Sequence, residues 1–430
     1  MLTLSVKSLW NRKFVVFLTV LSIALSTALI LGVDRLRNEA RQGFANSASG
    51  LDLIVAPRGN DVQILLATVF GVGSTGAGIS WDSFEMFESN PAVSWAVPIM
   101  MGDNHRGFPV IGTSETYFEH FLHTGGKPLE FAQGAAFQGK ESAVLGAEVA
   151  ERFDYSPGSV VVNAHGAGSV AFDVHDEAPF VVTGVLERTG TAVDRMVFVP
   201  MEGFDALHDQ KEDAQADPFA ASSETNVMQS DHEAHDDHEA NQHGHEPEKI
   251  NAIFLGLRSK TSVLTLQRLV ASYPVEPLSA VMPNVALLSL WSVTGTAETA
   301  LQIMAFAVAL VGVAGMVVML TASLEARRRE FAILRSVGAT PFAIFRMIVL
   351  EALLVALAGV VLGFVLMSAA IALAAPVLGA NYGIYLELSL PSVHEILLAG
   401  ALLLGSVLAS LAPAIRVYRM TLSDGLTMRI

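Results

Sequence analysis

The residues with the clearest capacity for chemistry are the five histidines at 232–245, within an acidic tract at about 205–249. Between Ala206 and Glu248 the sequence holds twelve acidic residues and one lysine, with no apolar periodicity. Neutral imidazoles beside carboxylates suit borderline divalent metals, above all zinc. We therefore predict that this tract captures or senses Zn²⁺. The predicted ligands are His232, His235, His238, His243 and His245.

An alternative interpretation of the tract is a solvated acidic loop whose histidines titrate without a dedicated role. Its composition predicts a disordered insertion in either case. A metal would have to order the segment as it binds, which lowers the affinity. A transport pathway would need ligands inside the membrane, and the four predicted spans contain no histidine.

A second segment with chemical potential is Leu324–Glu351, which joins two long apolar runs. Its arginines are Arg327, Arg328, Arg329, Arg335 and Arg346. Gly338 and Pro341 stand where a helix should break. A basic, amphipathic connection that contains a turn is a suitable docking surface for a cytoplasmic partner.

Composition indicates an integral membrane protein. The chain has 430 residues, of which 52% are hydrophobic, and its mean hydropathy is +0.47. Most of the net charge of −16 comes from the acidic tract, and the arginine-rich segment is the one basic cluster, so nucleic acid is not an expected partner. The absence of cysteine excludes thiol chemistry. No nucleotide-binding P-loop and no G-x-S-x-G motif occur, so we predict no enzymatic activity for this chain.

The distribution of Lys and Arg predicts the topology. Basic residues precede the first apolar run, fill the connection between the second and third, and follow the fourth, while the connection 376–395 has none. By the positive-inside rule, both termini and the arginine-rich connection are cytoplasmic. The predicted segments are 1–33 (N-terminal segment and first membrane helix), 34–298 (extracytoplasmic domain), 299–324 (second helix), 325–346 (cytoplasmic connection), 347–375 (third helix), 376–395 (external loop), 396–415 (fourth helix) and 416–430 (cytoplasmic tail).

The large outer region has the pattern of an α+β domain. Short apolar runs such as Asp52–Ala56, Val93–Met101 and Asn251–Leu257 predict strands, and Ser262–Tyr273 predicts a helix. The predicted fold class is therefore an α-helical membrane protein with four transmembrane helices and a large extracytoplasmic α+β domain between the first and second.

Small residues in the apolar runs predict close helix packing. Gly359 and Gly363 have GxxxG spacing, a weak signal that names no partner. Glu351 borders the third run about one turn from Arg346, and we interpret it as one half of an interfacial ion pair. The absence of other ionisable residues in the runs favours helices that move as rods over an ion pathway.

Several motifs resemble one known family. Glu330–Gly338 (EFAILRSVG) with Glu351 downstream, and Pro413–Met420 at the end of the chain, resemble segments of the membrane subunits of mechanotransmission-type ABC transporters. These include the macrolide exporter, the lipoprotein-release system and the cell-division permease FtsX. The layout of one helix, an outer domain and three helices resembles this family over nearly the whole chain. The histidine tract is an insertion relative to the macrolide exporter.

The resemblance implies a permease subunit in the inner membrane of a bacterium, which dimerises and binds a separate cytoplasmic ATPase subunit. ATP would bind to that partner, and this chain would have no intrinsic cofactor. Closure of the ATPase subunits would move the membrane helices and the outer domain, which acts on a lipoprotein, a peptide or another envelope component. The coupling residues implied are Arg328, Arg329, Glu330, Arg335 and Gly338.

Two other functions stay open at this point. The chain could be the membrane subunit of a zinc-linked transporter, with the histidine tract as its metal-binding part. It could also be a non-transporting regulator whose outer domain recruits a periplasmic partner protein such as an envelope enzyme. Membrane lipids surround the spans in all three cases.

Overall fold

The structure is a computed structural model that describes residues 13–162, 164–165, 173–174, 179–206, 249–382 and 391–418. The chain divides into two compact units. One, the membrane unit, comprises Met1–Arg41 and Val293–Ile430, and the other, the sheet unit, comprises Gln42–Ser292.

The helices are numbered in chain order. Within the described residues they are α1 (Lys13–Ser47), α2 (Asp61–Phe70), α3 (Trp81–Glu88), α4 (Thr116–His120), α5 (Ala147–Phe153), α6 (Val263–Ala271), α7 (Pro283–Ala326), α8 (Arg328–Ser336), α9 (Pro341–Tyr382) and α10 (Val393–Tyr418). Four of them, α1, α7, α9 and α10, are long and apolar enough to cross a membrane.

These helices are longer than the apolar runs that predicted them. The sequence predicts a second membrane helix from 299 and a third that ends at 375, whereas α7 begins at Pro283 and α9 continues to Tyr382. Hydropathy marks only the part of a helix that suits the hydrocarbon layer, and backbone hydrogen bonding continues until a breaker residue. The first residues of the predicted external loop are therefore helical.

The strands of the sheet unit are also numbered in chain order. They are β1 (Leu53–Pro57), β2 (Ile79–Ser80), β3 (Val93–His105), β4 (Phe108–Thr113), β5 (Leu122–His123), β6 (Lys127–Pro128), β7 (Phe131–Gly134), β8 (Ser142–Leu145), β9 (Val160–Val161), β10 (Ala164–His165), β11 (Asp173–Val174), β12 (Phe180–Leu186), β13 (Val197–Pro200), β14 (Lys249–Ile250), β15 (Ala252–Leu257) and β16 (Leu278–Val281).

Most of these strands form one mixed sheet of twelve strands. Its main order is β16-β1-β15-β3-β4-β13-β8-β12-β7. The pairs β4/β13 and β8/β12 are parallel and the other pairs along this order are antiparallel. Beside the acidic tract, β14 pairs with β2 in a separate two-stranded sheet.

The central strands are buried on both faces of the sheet. Alternate residues of β1 enter different cores, with Leu53 and Val55 in one and Ile54 and Ala56 in the other. This division follows from the two-residue period of a strand. It explains why β1 is continuously apolar, and it confirms the α+β class predicted for this domain.

In the membrane unit, small residues bring α1 close to two other helices. Gly359 and Gly363 of α9 lie against Ile23 and Thr27 of α1, with no room for a Cβ atom. On α7, Gly312 lies against Ser26, whose hydroxyl donates hydrogen bonds to the carbonyls of Ser22 and Val308. The GxxxG spacing therefore serves contact within the chain.

Candidate coupling segment and its ion pairs

The arginine-rich connection folds as a short helix between two breaks. Arg327 is the single residue between α7 and α8, and its backbone (φ −103°, ψ 8°) leaves the α-helical region. Arg327 N–H donates to the carbonyl of Leu324, and Phe331 N–H donates to the carbonyl of Arg327, so the hydrogen-bonded chain continues through the bend. Two backbone hydrogen bonds of Arg327 therefore span the break between α7 and α8.

The second break is the turn after α8. Gly338 has a φ of +104°, in the region that favours glycine, and its N–H donates to the carbonyl of Arg335. A Cβ atom on Gly338 would meet no neighbour within 4 Å, so the requirement for glycine is conformational. Thr340 accepts a hydrogen bond from Ala343 N–H, and Pro341 is the first residue of α9, a position that suits proline.

One side of α8 is fixed to the membrane helices. Phe331 is 5% exposed and lies in a cluster with Ile344, Met347 and Ile348 of α9 and Ala414 of α10. Other apolar residues here are exposed. Ile333 and Leu334 of α8 and Val337, which follows its last residue, are 55%, 40% and 84% exposed. An exposed apolar patch on a charged helix is typical of a protein interaction site.

Arg327 contacts three other side chains at the break between α7 and α8. Its Nε donates to Glu330 Oε2 (2.9 Å), its Nη1 donates to Glu351 Oε2 (3.1 Å), and its guanidinium lies 4.9 Å from the centroid of the Phe331 ring. We call these four residues the Arg327 bridge. The carboxylate of Glu351, about three turns into α9, is buried, so a charged partner offsets its desolvation.

The structure locates part of the predicted coupling set. Glu330 and Arg335 lie on α8, and Gly338 is the second residue after it. The Glu330 side chain is 65% exposed. Arg328 and Arg329 begin α8, and their side chains are outside the described part of the structure. Sequence reasoning placed Glu351 near Arg346 and did not select Arg327 as its partner. The sequence feature that could have indicated Arg327 is its position. It lies shortly after the end of an apolar run and three residues before Glu330, the first acidic residue of the next helix.

Further ion pairs join the opposite ends of the membrane helices. Arg35 of α1 and Glu395 of α10 are both buried, with 4.0 Å between Nε and Oε1. Glu298 of α7 accepts a hydrogen bond from Arg41 Nη2 (2.7 Å), and its Oε2 lies 3.5 Å from Arg37 Nε.

Glu395 of this ion pair lies in the first turn of α10. Glu395 forms a reciprocal cap with Ser392, in which each side chain accepts from the other's backbone N–H. Next to it, His394 lies 3.6 Å from Asp34 of α1. Charged residues thus fix α1 to both α7 and α10 at this end of the unit.

The predicted zinc ligands lie outside the described residues. Of the described residues, no three His, Asp or Glu side chains come together in a group that could hold a metal ion. The structure therefore provides no geometry for the zinc prediction.

One histidine of the sheet unit has a perturbed environment. Burial lowers the pKa of His105; its bond to the Val162 carbonyl acts in the opposite direction, and the neighbouring Arg106 lowers the pKa further. His105 Nδ1 lies 2.7 Å from that carbonyl oxygen, and Nε2 lies 3.2 Å from the Tyr155 hydroxyl. The lowered pKa favours the neutral imidazole of His105, whose contact with the Val162 carbonyl connects β3 to the residue after β9.

Comparison with known proteins gives two family matches. Residues 302–422 match the FtsX-like permease C-terminal model, and residues 16–226 match the MacB-like periplasmic core domain model. The search of curated proteins gave no match.

Two solved structures align with just over half of the chain. The periplasmic region of MacB from Actinobacillus actinomycetemcomitans is 12% identical, with a TM-score of 0.33, over 56% of this chain and 93% of that structure. The extracellular domain of the noncanonic ABC-type transporter YknZ from Gram-positive bacteria is 13% identical, with a TM-score of 0.29, over 54% of this chain and 98% of that structure.

The family models match the two halves of the architecture in the expected order. The periplasmic core model begins in α1 and covers much of the sheet unit, and the permease model covers most of α7 together with α8, α9 and α10. One apolar helix before the α+β domain and three after it complete this layout, which indicates a bacterial inner-membrane protein with a periplasmic domain. The chain therefore belongs to the MacB/FtsX type of ABC transporter permeases.

Proposed function

We propose that this permease couples ATP hydrolysis by a separate cytoplasmic ATPase subunit to movement of its periplasmic domain. The observation that carries the proposal is the exposure of apolar residues in and directly after α8. Ile333 and Leu334 of α8 and the next apolar residue, Val337, are exposed, whereas Phe331 of the same helix is buried against α9 and α10. A helix that is anchored to the membrane helices through one side chain and exposes others suits a partner protein that must bind and displace it.

The distribution of charge supports a cytoplasmic position for α8. Arg327, Arg335 and Arg346 lie in or beside it, Arg416 follows at the end of α10, and Lys13 begins α1. Placed inside the cell, all of these residues obey the positive-inside rule. The proposal therefore puts both termini in the cytoplasm and the sheet unit in the periplasm.

The continuity of two helices supports the transmission of motion. Both α1 and α7 run from the membrane unit into the residues of the sheet unit without a break in helical hydrogen bonding. In the proposed cycle, two permease subunits work together, and ATP binding by two partner ATPase subunits moves α8 and the helices attached to it. The periplasmic domain then acts on an envelope substrate such as a lipoprotein or a peptide.

The test is stimulation of the partner ATPase in a reconstituted complex. We expect the double variant Arg335→Glu/Gly338→Val to insert normally but to lose this stimulation. Glu reverses a charge on α8, and Val is strained at a φ of +104°. Arg416→Glu, which reverses an arginine outside α8, is the matched control and should retain stimulation. Unchanged stimulation in the double variant would overturn the proposed role of α8.

The histidine tract supports a second candidate function, a zinc-linked transporter subunit. The supporting observation is the occurrence of five histidines within residues 232–245, among carboxylates. Deletion of 230–248 followed by measurement of cellular zinc separates the two functions. Loss of zinc homeostasis supports the zinc-linked subunit, and normal zinc with an impaired envelope supports the first proposal.

A different experiment tests whether the chain is a non-transporting regulator. If it is, affinity purification of the full complex would retain an envelope hydrolase, and the complex would move no substrate. Substrate movement that depends on ATP contradicts the regulator and supports the coupling function.

A further inference from the structure

We propose that Arg327 is the positioning residue that makes α8 and α9 move together, through its contact with Glu351. Arg327 is the single residue between α7 and α8, and its backbone is not α-helical. A bend of one residue between two helices is a natural hinge. Motion of α8 would be absorbed at this hinge if no side chain connected α8 to the next membrane helix.

The contacts of Arg327 supply that connection. The guanidinium reaches Glu351 on α9 and Glu330 and Phe331 on α8. Phe331 continues the same contact surface into the cluster with Ile344 and Ile348 of α9. One side chain at the hinge therefore holds α8 and the beginning of α9 in a fixed relation.

The contact between Arg327 and Glu351 is buried, so its loss cannot be offset by water. The side chains of Arg327 and Glu351 are 8% and 5% exposed, so solvent does not replace either partner when the contact is lost. The planar guanidinium donates in two directions and stacks on the Phe331 ring at the same time. A lysine ammonium lacks that fork and that plane, so Arg327→Lys keeps the charge and loses the geometry.

The proposal adds a residue to the proposed coupling function and partly rests on it. Arg327 does not need to touch the ATPase, since it acts through Glu351. This indirect role distinguishes Arg327 from Arg335 and from the exposed residues Ile333, Leu334 and Val337, which lie where the ATPase is proposed to bind. A direct test must therefore observe how α8 is held in the permease alone, as well as how the ATPase responds.

The first test measures the mobility of a spin label on α8. The chain contains no cysteine, so Ile333→Cys, at an exposed position on α8, gives a single labelling site in the full-length permease. We expect a more mobile label in the Glu351→Gln and Arg327→Lys backgrounds, and no further increase when both are combined. Glu88→Gln, which removes an exposed carboxylate of α3 in the sheet unit, is the matched control and should leave the label as it is. Unchanged mobility in Glu351→Gln overturns the proposal.

The second test measures ATPase stimulation by the same variants. We expect Glu351→Gln and Arg327→Lys each to reduce stimulation by roughly fivefold or more, as for loss of a typical coupling between sites. If the single variants do not fold, Arg327→Met/Glu351→Met removes both charges together and should fold, with a mobile label and reduced stimulation. A mobile label with full stimulation overturns the transmission role.

The two tests distinguish failure of this proposal from failure of the proposed function. A wild-type permease that stimulates no ATPase overturns the coupling function. The spin-label comparison still decides, in that case, whether Arg327 and Glu351 hold α8 in place.

Discussion

Gly363 of α9 lies so close to Thr27 of α1 that a Cβ atom on Gly363 would stand 2.6 Å from the Cβ of Thr27. The same atom would stand 2.8 Å from the carbonyl oxygen of Ala24, which belongs to the backbone and has little freedom to move. The approach of these two helices therefore depends on the absence of a side chain at position 363.

We predict that Gly363→Ala separates α1 from α9 and destabilises the membrane unit. The expected loss is about 1–3 kcal/mol, the usual effect of overpacking, despite the better helix propensity of alanine. The measurement is thermal unfolding of the full chain in detergent. Gly315→Ala in α7 is the control, because a Cβ there meets nothing within 4 Å. Equal melting temperatures for the two variants would contradict the prediction.

We predict that Glu395→Gln destabilises the membrane unit by leaving Arg35 as a buried charge without its carboxylate. The cost of breaking a buried pair is about 3 kcal/mol, and Gln keeps an oxygen for the Ser392 cap, so the effect reports on the charge. The measurement is again the melting temperature in detergent. The double variant Arg35→Leu/Glu395→Gln should recover part of the loss. Glu330→Gln, at an exposed carboxylate, should change little.

We predict that protonation of His105 destabilises the sheet unit at mildly acidic pH. Burial lowers the pKa of folded His105 below the ordinary value of 6.5, so the unfolded chain takes up the proton first as the pH falls. Stability should therefore decrease with falling pH between 6.5 and the folded pKa. Melting curves of the full chain test this, with His105→Gln as the comparison. An identical pH slope in both proteins would remove His105 as the cause.

We predict that zinc binding by the full-length permease depends on the histidine tract. Equilibrium dialysis against Zn²⁺, followed by metal analysis, should show bound zinc that is lost when residues 230–248 are deleted. A variant with Asn at the five positions His232, His235, His238, His243 and His245 should lose it as well, since neutral imidazole is the preferred ligand. If the Asn variant binds as much zinc as the wild type, the carboxylates bind the metal and the imidazole prediction fails.

The membrane helices and many strands of the sheet could be predicted because they depend on local pattern. A run such as Phe14–Val33 is long enough to span a membrane whatever surrounds it, and Asp52–Ala56 is too apolar for a surface segment. The predicted strands agree with β1, β3 and β15 to within a few residues at their ends. The differences arise because hydrogen bonding and pairing with neighbouring strands set those ends.

The long-range ion pairs and helix contacts of the membrane unit could not be predicted from local sequence pattern. Arg327 and Glu351 are 24 residues apart, and their contact depends on the non-helical backbone at Arg327. Arg35 and Glu395 lie at opposite ends of the sequence, and no periodicity connects them. The GxxxG spacing indicated a packing surface on α9, but only the fold shows that this surface belongs to α1.

The shared carboxylate of Glu298 has a consequence for sliding between α1 and α7. Arg37 and Arg41, which both lie within reach of Glu298, are separated by four residues, or about 6 Å along a helix axis. Translation of one helix along the other would carry the carboxylate away from one arginine as it approached the next. The two ion pairs therefore favour one axial register of α1 against α7 and oppose the sliding of either helix along the other.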